Sequence, residues 1–312
     1  MQPDIIAIGE PMFELSAEEE GSLSEVRRFV AGWGGDTSNF SIAASRAGAR
    51  VGYLTRLGDD AFGDSFINLW QREGIDVSRI VKDPEAFTAA YFISRKGKQH
   101  HFTYLRKGSA ASRMTPEFLP RDFIASARLL HVSGISQAIS VSACDTMAAA
   151  ITLARAAGRL VSYDPNFRPQ LWSLDRAREV IHKTCRQADL IFPSLDEARL
   201  LTGLASPDEI ARFYLGLGPK VIVVKLGAEG ALLATADGLQ AFPSNKVDSI
   251  DMSGAGDTFD GAFVARYLAG WPLDACVRFA NAAAAITTSG LGCVTPVPRI
   301  ADIEALMARQ PR

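Results

Sequence analysis

Short apolar runs alternate with helical segments along most of the chain, and this alternation constrains the fold more than any other feature. Residues 221–226 are apolar except at Lys225, which is typical of a parallel strand covered by helices on both faces. Several helical patterns end at a glycine, as at Gly48 and Gly158. Strand and helix taking turns over this length predict an α/β fold with a mostly parallel central sheet and helices on both sides. The predicted strands are 4–9, 51–56, 129–133, 160–163, 190–193 and 221–226, and the predicted helices include 36–47, 61–73, 142–157 and 175–188.

Two segments interrupt the alternation. Residues 23–31 and 89–105 alternate apolar and polar side chains and contain no helical pattern. They predict a small separate sheet with one face covered, and such a sheet inserted into an α/β domain would form a lid. The predicted α/β nucleotide- and substrate-binding domain comprises residues 1–14, 36–87 and 109–312, and the predicted β lid comprises residues 15–35 and 88–108.

The bulk properties of the chain narrow its functional classes. It has 312 residues and a formal net charge of −2, so no excess of positive charge favours nucleic acid or an anionic membrane as a partner. The N-terminus has no basic segment before its first apolar run, and the most apolar helical stretch, 141–157, is too short to span a bilayer. We therefore expect a cytoplasmic protein that acts on small molecules. Its four cysteines form no C-x-x-C pair, which predicts reduced thiols: Cys144, Cys185, Cys276 and Cys293.

A run of small residues precedes an acidic residue and a helical pattern in the segment DMSGAGDTF, residues 251–259. Gly254, Ala255 and Gly256 allow the backbone to approach a ligand closely, and the free N–H groups of the following helix favour an anion. An aspartate beside a bound anion is explained if Asp257 removes a proton from a hydroxyl group that attacks a phosphoryl group. Taken alone, the segment is equally compatible with a glycine-rich turn in which Asp257 caps the helix.

This segment resembles the D-x-x-G-A-G-D signature of the ribokinase-like (PfkB) carbohydrate kinases. The resemblance extends over nearly the whole chain, through residues 32–39 (GWGGDTSN), 56–63 (RLGDDAFG) and 223–230 (VVKLGAEG). It implies a three-layer sandwich with a mostly parallel central sheet and a small β-sheet lid. It also implies phosphoryl transfer from ATP, with Mg²⁺, to an alcohol group of a sugar. The family usually has N-x-x-E where residues 194–197 read SLDE, so Ser194 replaces an asparagine.

The resemblance assigns roles to individual residues. Asp257 becomes the catalytic base, and Gly254, Ala255 and Gly256 form the anion hole. Glu197 organises Mg²⁺ through water, and the counterpart of Asp251 helps to hold a monovalent cation such as K⁺. The residues implied in nucleotide binding are Ser194, Glu197, Lys225, Gly227, Gly230, Gly254, Gly256 and Asn281. Purely structural roles remain open for several of them: strand-end solvation for Lys225, a turn for Gly227 and helix packing for Asn281.

Two arginines indicate which chemical class of substrate the protein binds. Arg106 follows the second lid segment and Arg168 follows a predicted strand, and each guanidinium can form a bidentate pair with a carboxylate. The alternative is a pair of solvated surface arginines. Residues 34–37, 104–110 and 164–172 together resemble 2-keto-3-deoxygluconate kinases, a branch of the same family. This resemblance implies that the substrate is held by Gly35, Asn39, Tyr91, Tyr104, Arg106, Arg168 and Asp257.

Three functions follow from these observations. The first is a kinase that phosphorylates the terminal hydroxyl of 2-keto-3-deoxygluconate to give 2-keto-3-deoxy-6-phosphogluconate. The second is a kinase of another sugar, such as ribose, fructose or a nucleoside, to which Arg106 and Arg168 would offer no charge complementarity. The third is a catalytically silent sugar-binding regulator, which would not require Asp257 and its small-residue loop. A homodimer or higher homo-oligomer remains open.

Overall fold

The computed structural model describes residues 2–96 and 99–310. Residues 97 and 98 of the predicted lid, and residues 1, 311 and 312 of the predicted main domain, lie outside the described residues. The strands are β1 Ile5–Ile8, β2 Met12–Glu20, β3 Phe29–Gly34, β4 Val51–Leu54, β5 Arg56–Gly58, β6 Val81–Asp83, β7 Ala90–Lys96, β8 Gln99–Leu105, β9 Leu129–Ser133, β10 Leu160–Asp164, β11 Leu190–Ile191, β12 Val221–Lys225, β13 Ala231–Thr235 and β14 Gly238–Phe242. The α-helices are α1 Asp36–Arg46, α2 Ala61–Arg72, α3 Arg121–Ser126, α4 Gly134–Ala138, α5 Val141–Ala156, α6 Leu174–Cys185, α7 Leu195–Thr202, α8 Pro207–Gly216, α9 Ala255–Leu268, α10 Leu273–Thr288 and α11 Ile300–Arg309.

The main sheet has eight strands in the order β14-β13-β12-β11-β10-β9-β1-β4. Strand β1 pairs in parallel with both β4 and β9, and parallel pairing continues through β10 and β11 to β12. The predicted parallel sheet is therefore present. Its edge formed by β13 and β14 is antiparallel and was not predicted.

Both faces of the main sheet are covered by helices, which explains why its strands are apolar runs. Alternate side chains of β1 enter opposite cores: Ile5 belongs to the core that contains Phe40 of α1 and Phe263 of α9, while Ile6 belongs to the core that contains Met147 of α5. Burying a side chain of this size stabilises the fold by about 1.5–3 kcal/mol. The molecule thus has three layers, with α1, α2, α9 and α10 on one face of the sheet and α5, α6 and α8 on the other.

A separate four-stranded sheet has the order β3-β2-β7-β8. The predicted segment 89–105 forms β7 and β8 of this sheet, but only the end of the predicted segment 23–31 lies in a strand. Residues 23–28 are not in a strand, because Ser22 and Glu25 form a local turn in which the Glu25 carboxylate accepts from the backbone N–H and the hydroxyl of Ser22, at 2.9 and 2.8 Å. Residues 29–31 of the predicted segment do lie in a strand, β3, and its antiparallel partner β2, which begins at Met12, was not predicted. The boundaries of the lid domain remain a prediction.

Membrane insertion through a helix finds no support in the described residues. Within residues 2–96 and 99–310, no helix combines the length and the apolar character that crossing a bilayer requires.

Candidate active site

The carboxyl ends of the parallel strands bring several charged residues to one edge of the main sheet. Glu10 follows β1, Asp164 ends β10 and Lys225 ends β12. The chain reverses its direction of progress across the sheet between β1 and β9, because β4 lies on one side of β1 and the later parallel strands lie on the other. Ligands of α/β proteins usually bind at such a reversal. The residues predicted to carry the chemistry lie at this edge.

The predicted anion-binding turn lies at the N-terminus of α9. Gly254 adopts a left-handed conformation with φ 72°, and a Cβ atom here would lie 3.0 Å from the carbonyl oxygen of Cys293. Among the described residues, the backbone N–H groups of Gly256 and Asp257 have no hydrogen-bond acceptor. Because these amides lie at the positive end of a helix, they can donate to a phosphate group.

The carboxyl group of Asp257 lies in the first turn of α9, beside these amides. The side-chain amide of Asn39 on α1 donates to its Oδ2 at 2.8 Å. Helices α1 and α9 approach closely because residue 261 is glycine, and a Cβ atom there would overlap the carbonyl oxygen of Phe40. Asn39 therefore fixes the orientation of Asp257. The Oδ1 atom of Asn39 is buried and has no partner in the described part of the chain, so it can accept a hydrogen bond from a ligand hydroxyl.

The pKa of Asp257 is raised from 3.8 to about 7. Removal of water from the carboxyl group is the main cause, and the negative charges of Asp36 and Asp164 add to it. The hydrogen bond from Asn39 and the charge of Lys225 act in the opposite direction. A carboxyl group whose pKa lies near neutral pH is suited to accept a proton from a hydroxyl group.

Both arginines predicted to read the substrate are ion-paired with carboxylates of the protein. Arg106 donates to Oε2 of Glu10 from Nε at 3.0 Å and also from Nη2, and Ser109 donates to the other oxygen of Glu10 at 2.8 Å. The Arg106 side chain is only 13 % exposed. Arg168 is 45 % exposed and donates from Nη1 to Oε1 of Glu197 at 2.6 Å. The two guanidinium groups are therefore held in fixed orientations rather than solvated freely.

The predicted aromatic residues lie on one face of the lid. The ring of Tyr104 is exposed and packs against Tyr91, with 6.0 Å between centroids, and the guanidinium of Arg106 lies 5.5 Å from the Tyr104 ring centre. Tyr91 is buried and its hydroxyl donates to Glu14. The hydroxyl of Tyr91 is thus already engaged by Glu14. A contact between Tyr91 and the substrate remains a prediction, and the ring is the part of the side chain that would make it. Gly35, with φ 97°, precedes α1 and lies against the backbone of Glu10 and Pro11.

The residues predicted to bind the nucleotide do not all present free polar groups. The ammonium of Lys225 is directed into the protein, at 2.8 Å from Asp164. The side-chain amide of Asn281 donates to the carbonyl oxygens of Phe242 and Pro243, each at 3.3 Å, so it supports the backbone after β14. Ser194 forms a backbone bridge to Lys225 and makes no side-chain cap to α7. The turn after β12 contains Gly227 and Gly230.

The comparison with protein families decides the class to which this site belongs. Residues 2–300 match the model of the pfkB family of carbohydrate kinases. The chain belongs to the PfkB family. The predicted membership and the predicted enzyme class, an ATP-dependent carbohydrate kinase, are thereby confirmed.

Curated relatives of this PfkB chain cover nearly its full length. It is 34 % identical over 315 residues to a 2-dehydro-3-deoxygluconokinase of Bacillus subtilis, covering 99 % of this chain and 97 % of the relative. A 2-dehydro-3-deoxygluconokinase of Thermoproteus tenax is 35 % identical over 308 residues, covering 97 % and 94 %. Fructokinase-1 of Zea mays is 32 % identical over 317 residues, covering 98 % of both chains.

Solved structures of similar proteins share the fold. A PfkB protein from Polaromonas has a TM-score of 0.89 and 34 % identity, covering 97 % of this chain and 99 % of that chain. A protein assigned as ribokinase II of E. coli, in complex with ATP and Mg²⁺, has a TM-score of 0.92 and 25 % identity, covering 99 % and 100 %. The predicted ribokinase-like fold is confirmed.

Glu197 is the carboxylate predicted to contact magnesium indirectly. In the part of the chain that the structure describes, no three His, Cys, Asp or Glu side chains form a cluster that could hold a metal ion alone. Mg²⁺ in kinases usually keeps several waters and binds through few carboxylates plus the substrate phosphates. Glu197, whose Oε2 also accepts from the backbone N–H of Phe167 at 3.1 Å, fits such a water-mediated role.

Asp251 stabilises the loop before α9 through two hydrogen bonds. Its carboxylate oxygens accept from the backbone N–H groups of Ser253 at 2.9 Å and Gly292 at 3.0 Å. These contacts connect the anion-binding turn to the segment that carries Cys293. The role of Asp251 beside a monovalent cation remains a prediction.

Five polar residues of the site were not selected from the sequence as site residues. They share a position at the carboxyl edge of the sheet and a buried side chain: Glu10, Asp36, Asp164, Asn166 and Asp260. Asp36 accepts from the backbone N–H of Thr37 at 2.8 Å and from the side-chain amide of Asn166 at 3.3 Å. The D-x-N-x-R pattern of residues 164–168 is the sequence signal that could identify two of them, Asp164 and Asn166, in addition to Arg168.

The rate of this kinase should depend on pH through Asp257. Only the ionised carboxylate can accept the hydroxyl proton, and the pKa of Asp257 is raised to about 7. We expect kcat/KM to fall by about tenfold for each pH unit below this value and to level off above it. Steady-state ADP release measured across the neutral range checks this, with enzyme stability verified at each pH. A rate that stays constant well below pH 7 would contradict the assignment of the base.

Proposed function

We propose that this kinase transfers the γ-phosphoryl group of ATP to the terminal hydroxyl of 2-keto-3-deoxygluconate, also named 2-dehydro-3-deoxygluconate. The observation that carries the catalytic part is the position of the Asp257 carboxyl group beside the amides of Gly256 and Asp257, which have no acceptor among the described residues. The observation that carries the substrate is the presence of two oriented arginines, Arg106 and Arg168, at the same edge of the sheet. The two gluconokinase relatives support the same substrate.

Asp257 acts as the general base. Its carboxylate accepts the proton of the terminal hydroxyl while that oxygen forms a bond to the γ-phosphorus, and the bond from phosphorus to the bridging oxygen of ADP breaks. Asn39 holds one carboxylate oxygen at 2.8 Å, which leaves the other oxygen to face the substrate. Phosphoryl transfer requires mainly alignment and charge stabilisation, and a base fixed by a helix-to-helix contact supplies alignment.

The anion hole stabilises the charge of the transferring group. The amides of Gly256 and Asp257 can donate to its oxygens without rearranging, since among the described residues they have no other acceptor. Mg²⁺ bound to the phosphates would neutralise developing charge on the oxygens of the transferring group, and Glu197 would orient its water ligands. Gly227 lies in the turn after β12 with no other group near the position of a Cβ atom, so a nucleotide could approach the backbone there.

The sugar acid would meet guanidinium groups that are already oriented. Arg106 is connected to the catalytic centre by two contacts: its guanidinium pairs with Glu10, and the backbone of Glu10 lies against Gly35, which directly precedes the helix carrying Asn39. Fixed guanidinium groups lose little conformational freedom when they bind a carboxylate. Their remaining N–H donors would give the charge-assisted hydrogen bonds that distinguish an acid from a neutral sugar.

A neutral hexose is a second candidate, and a specific observation favours it. Each arginine is already neutralised by a carboxylate, Glu10 for Arg106 and Glu197 for Arg168, so neither requires an anionic ligand. The fructokinase relative at 32 % identity fits this alternative.

A panel of substrates tests the proposal. ADP release should be measured for the purified protein with ATP, Mg²⁺ and, in turn, 2-keto-3-deoxygluconate, fructose and ribose. We expect kcat/KM for the sugar acid to exceed that for the neutral sugars by at least about a hundredfold. The product should carry phosphate on its terminal carbon, as determined by phosphorus–proton correlation in NMR. Comparable constants for fructose and the acid would favour the neutral-hexose kinase, and absence of turnover with every sugar would favour the silent regulator.

A further inference from the structure

The ammonium group of Lys225 is held by two carboxyl groups of the protein. Its Nζ lies 2.8 Å from Oδ2 of Asp164 and 3.2 and 3.1 Å from the two carboxyl oxygens of Asp260. All three side chains are largely enclosed, with exposures of 13 % for Lys225, 6 % for Asp164 and 1 % for Asp260. The ammonium group therefore has protein acceptors for its donors and joins three elements, β10, β12 and α9.

The three groups together carry no net charge if Asp260 is protonated. Asp164 and Asp260 also hydrogen-bond to each other, which requires a proton on one of them. Burial raises the pKa of Asp260 well above its usual value. Burial acts in the same direction on Asp164, but the charge of Lys225 outweighs it and lowers the pKa of that group. The proton thus belongs to Asp260, and Lys225 pairs with ionised Asp164.

The position of this cluster relative to the catalytic helix suggests a role. Asp260 lies three residues after Asp257, on the same side of α9 within one turn. A Cβ atom at Gly256 would lie 3.4 Å from Nζ of Lys225, so the ammonium is adjacent to the amide that forms the anion hole. Displacing Lys225 would therefore change the distance from the main sheet to the Asp257 carboxyl group and to the backbone amide of Gly256. It would also remove a positive charge that faces Asp257.

We propose that Lys225 is a positioning residue for phosphoryl transfer, which holds α9 to the sheet through Asp164 and Asp260 and favours the ionised form of Asp257 through its charge. The proposal deepens the proposed kinase function and rests on it. It differs from direct nucleotide binding because the ammonium acts on Asp257 and α9 rather than on ATP.

The charge of Lys225 acts on Asp257 together with other groups. The titratable and charged groups that face Asp257 are Asp36, Asp164, Arg168, Lys225 and Cys293, from five different parts of the chain. Of these, Lys225 lowers the pKa of Asp257, and Asp36 and Asp164 raise it. As long as Asp164 stays ionised, removing the ammonium should therefore raise the pKa of Asp257.

The decisive measurement is the titration of the Asp257 carboxyl carbon by NMR, assigned by its loss in the Asp257→Asn variant. In Lys225→Met we expect the midpoint to move upward, because an opposite charge nearby favours the ionised form of a carboxyl group. Lys225→Arg keeps the charge and should restore the wild-type midpoint. The titration does not depend on which sugar is phosphorylated, so failure of the 2-keto-3-deoxygluconate assignment would be recognised separately.

Kinetics of the same variants give a second readout. With the sugar that the wild type phosphorylates fastest, Lys225→Met should lower kcat by about 10- to 100-fold through misplacement of the base, with the KM for ATP little changed. Lys220→Met provides a matched control, because Lys220 is exposed just before the opposite end of the same strand, and it should leave both midpoint and kcat unchanged. If Lys225→Met does not fold, Lys225→Gln, which retains two donors but no charge, replaces it. An unchanged midpoint combined with a large rise in the KM for ATP would overturn the proposal and identify Lys225 as a nucleotide ligand.

Discussion

Replacing Asp257 with Asn is expected to lower kcat by about 10²–10⁴-fold while leaving the affinity for the sugar largely intact. The side chain keeps its shape, so contacts with the substrate hydroxyl and with Asn39 on α1 can persist in part. The amide cannot accept the hydroxyl proton, however, and the amides of Gly256 and Asp257 remain to stabilise the phosphoryl group. The checks are single-turnover phosphorylation and calorimetric binding of the sugar acid.

Stability measurements separate this loss of catalysis from a loss of folding. The pKa of Asp257 in the fold, about 7, lies above its ordinary value of 3.8, so the folded state loses stability progressively as the pH rises from 3.8 to about 7, and the full cost is present above the folded pKa. Below the ordinary value both states are protonated and no cost arises. The Asn variant should therefore melt at the same temperature as the wild type or higher at alkaline pH.

A matched substitution completes the test. Asp274 lies in the first turn of α10 and is exposed, so Asp274→Asn removes an aspartate from an equivalent helix position outside the cleft. It should leave kcat unchanged. Retention of more than about a tenth of the wild-type rate by Asp257→Asn would show that another group accepts the proton.

The main sheet could be predicted from the sequence because its strands are buried on both faces. Strand β9 was predicted with the observed bounds, and the helix predicted at 36–47 differs from α1 by one residue. Strand–helix alternation does not predict the antiparallel pair of β13 and β14, because this hairpin has no helix between its strands. Residues 23–28 were misread as strand because alternating polarity also occurs in a turn stabilised by Ser22 and Glu25.

The local parts of the site were more predictable than its long-range contacts. The small-residue loop before Asp257 could be read as an anion site because all its groups are adjacent in the chain. The partners of the arginines could not, since Glu10 is 96 residues from Arg106 and Glu197 is 29 residues from Arg168. Spacing in the sequence does not indicate which carboxylate meets which guanidinium. For the same reason the sequence could not indicate that the ammonium of Lys225 lies against Asp164 and Asp260. The predicted nucleotide contact of Lys225 stays a prediction.

The second large effect concerns the choice between an acid and a neutral sugar. If Arg106 and Arg168 both bind the substrate carboxylate, replacing either with Lys should reduce the preference for the acid by about tenfold or more. A charge-assisted hydrogen bond contributes about 1.5–3 kcal/mol, and each 1.4 kcal/mol corresponds to about a tenfold change. Lysine keeps the charge but cannot reproduce the planar fork of donors. The measurement is the ratio of kcat/KM for 2-keto-3-deoxygluconate to that for fructose in each variant.

The ion pairs in the structure make the two substitutions distinguishable. Arg106 is enclosed and donates to Glu10 from two nitrogens, so Arg106→Lys should change the ratio chiefly through the KM of the acid. Arg168 pairs with Glu197, the residue proposed to orient water around Mg²⁺, so Arg168→Lys should lower kcat for both sugars in addition to the ratio. Arg176→Lys is the control, because Arg176 is exposed and pairs with Glu179 at 2.8 Å on the surface of α6. A ratio that stays at the wild-type value in both variants would mean that neither arginine reads the carboxylate. The two guanidinium groups would then serve to hold Glu10 and Glu197 in place, as a kinase of neutral sugars also requires.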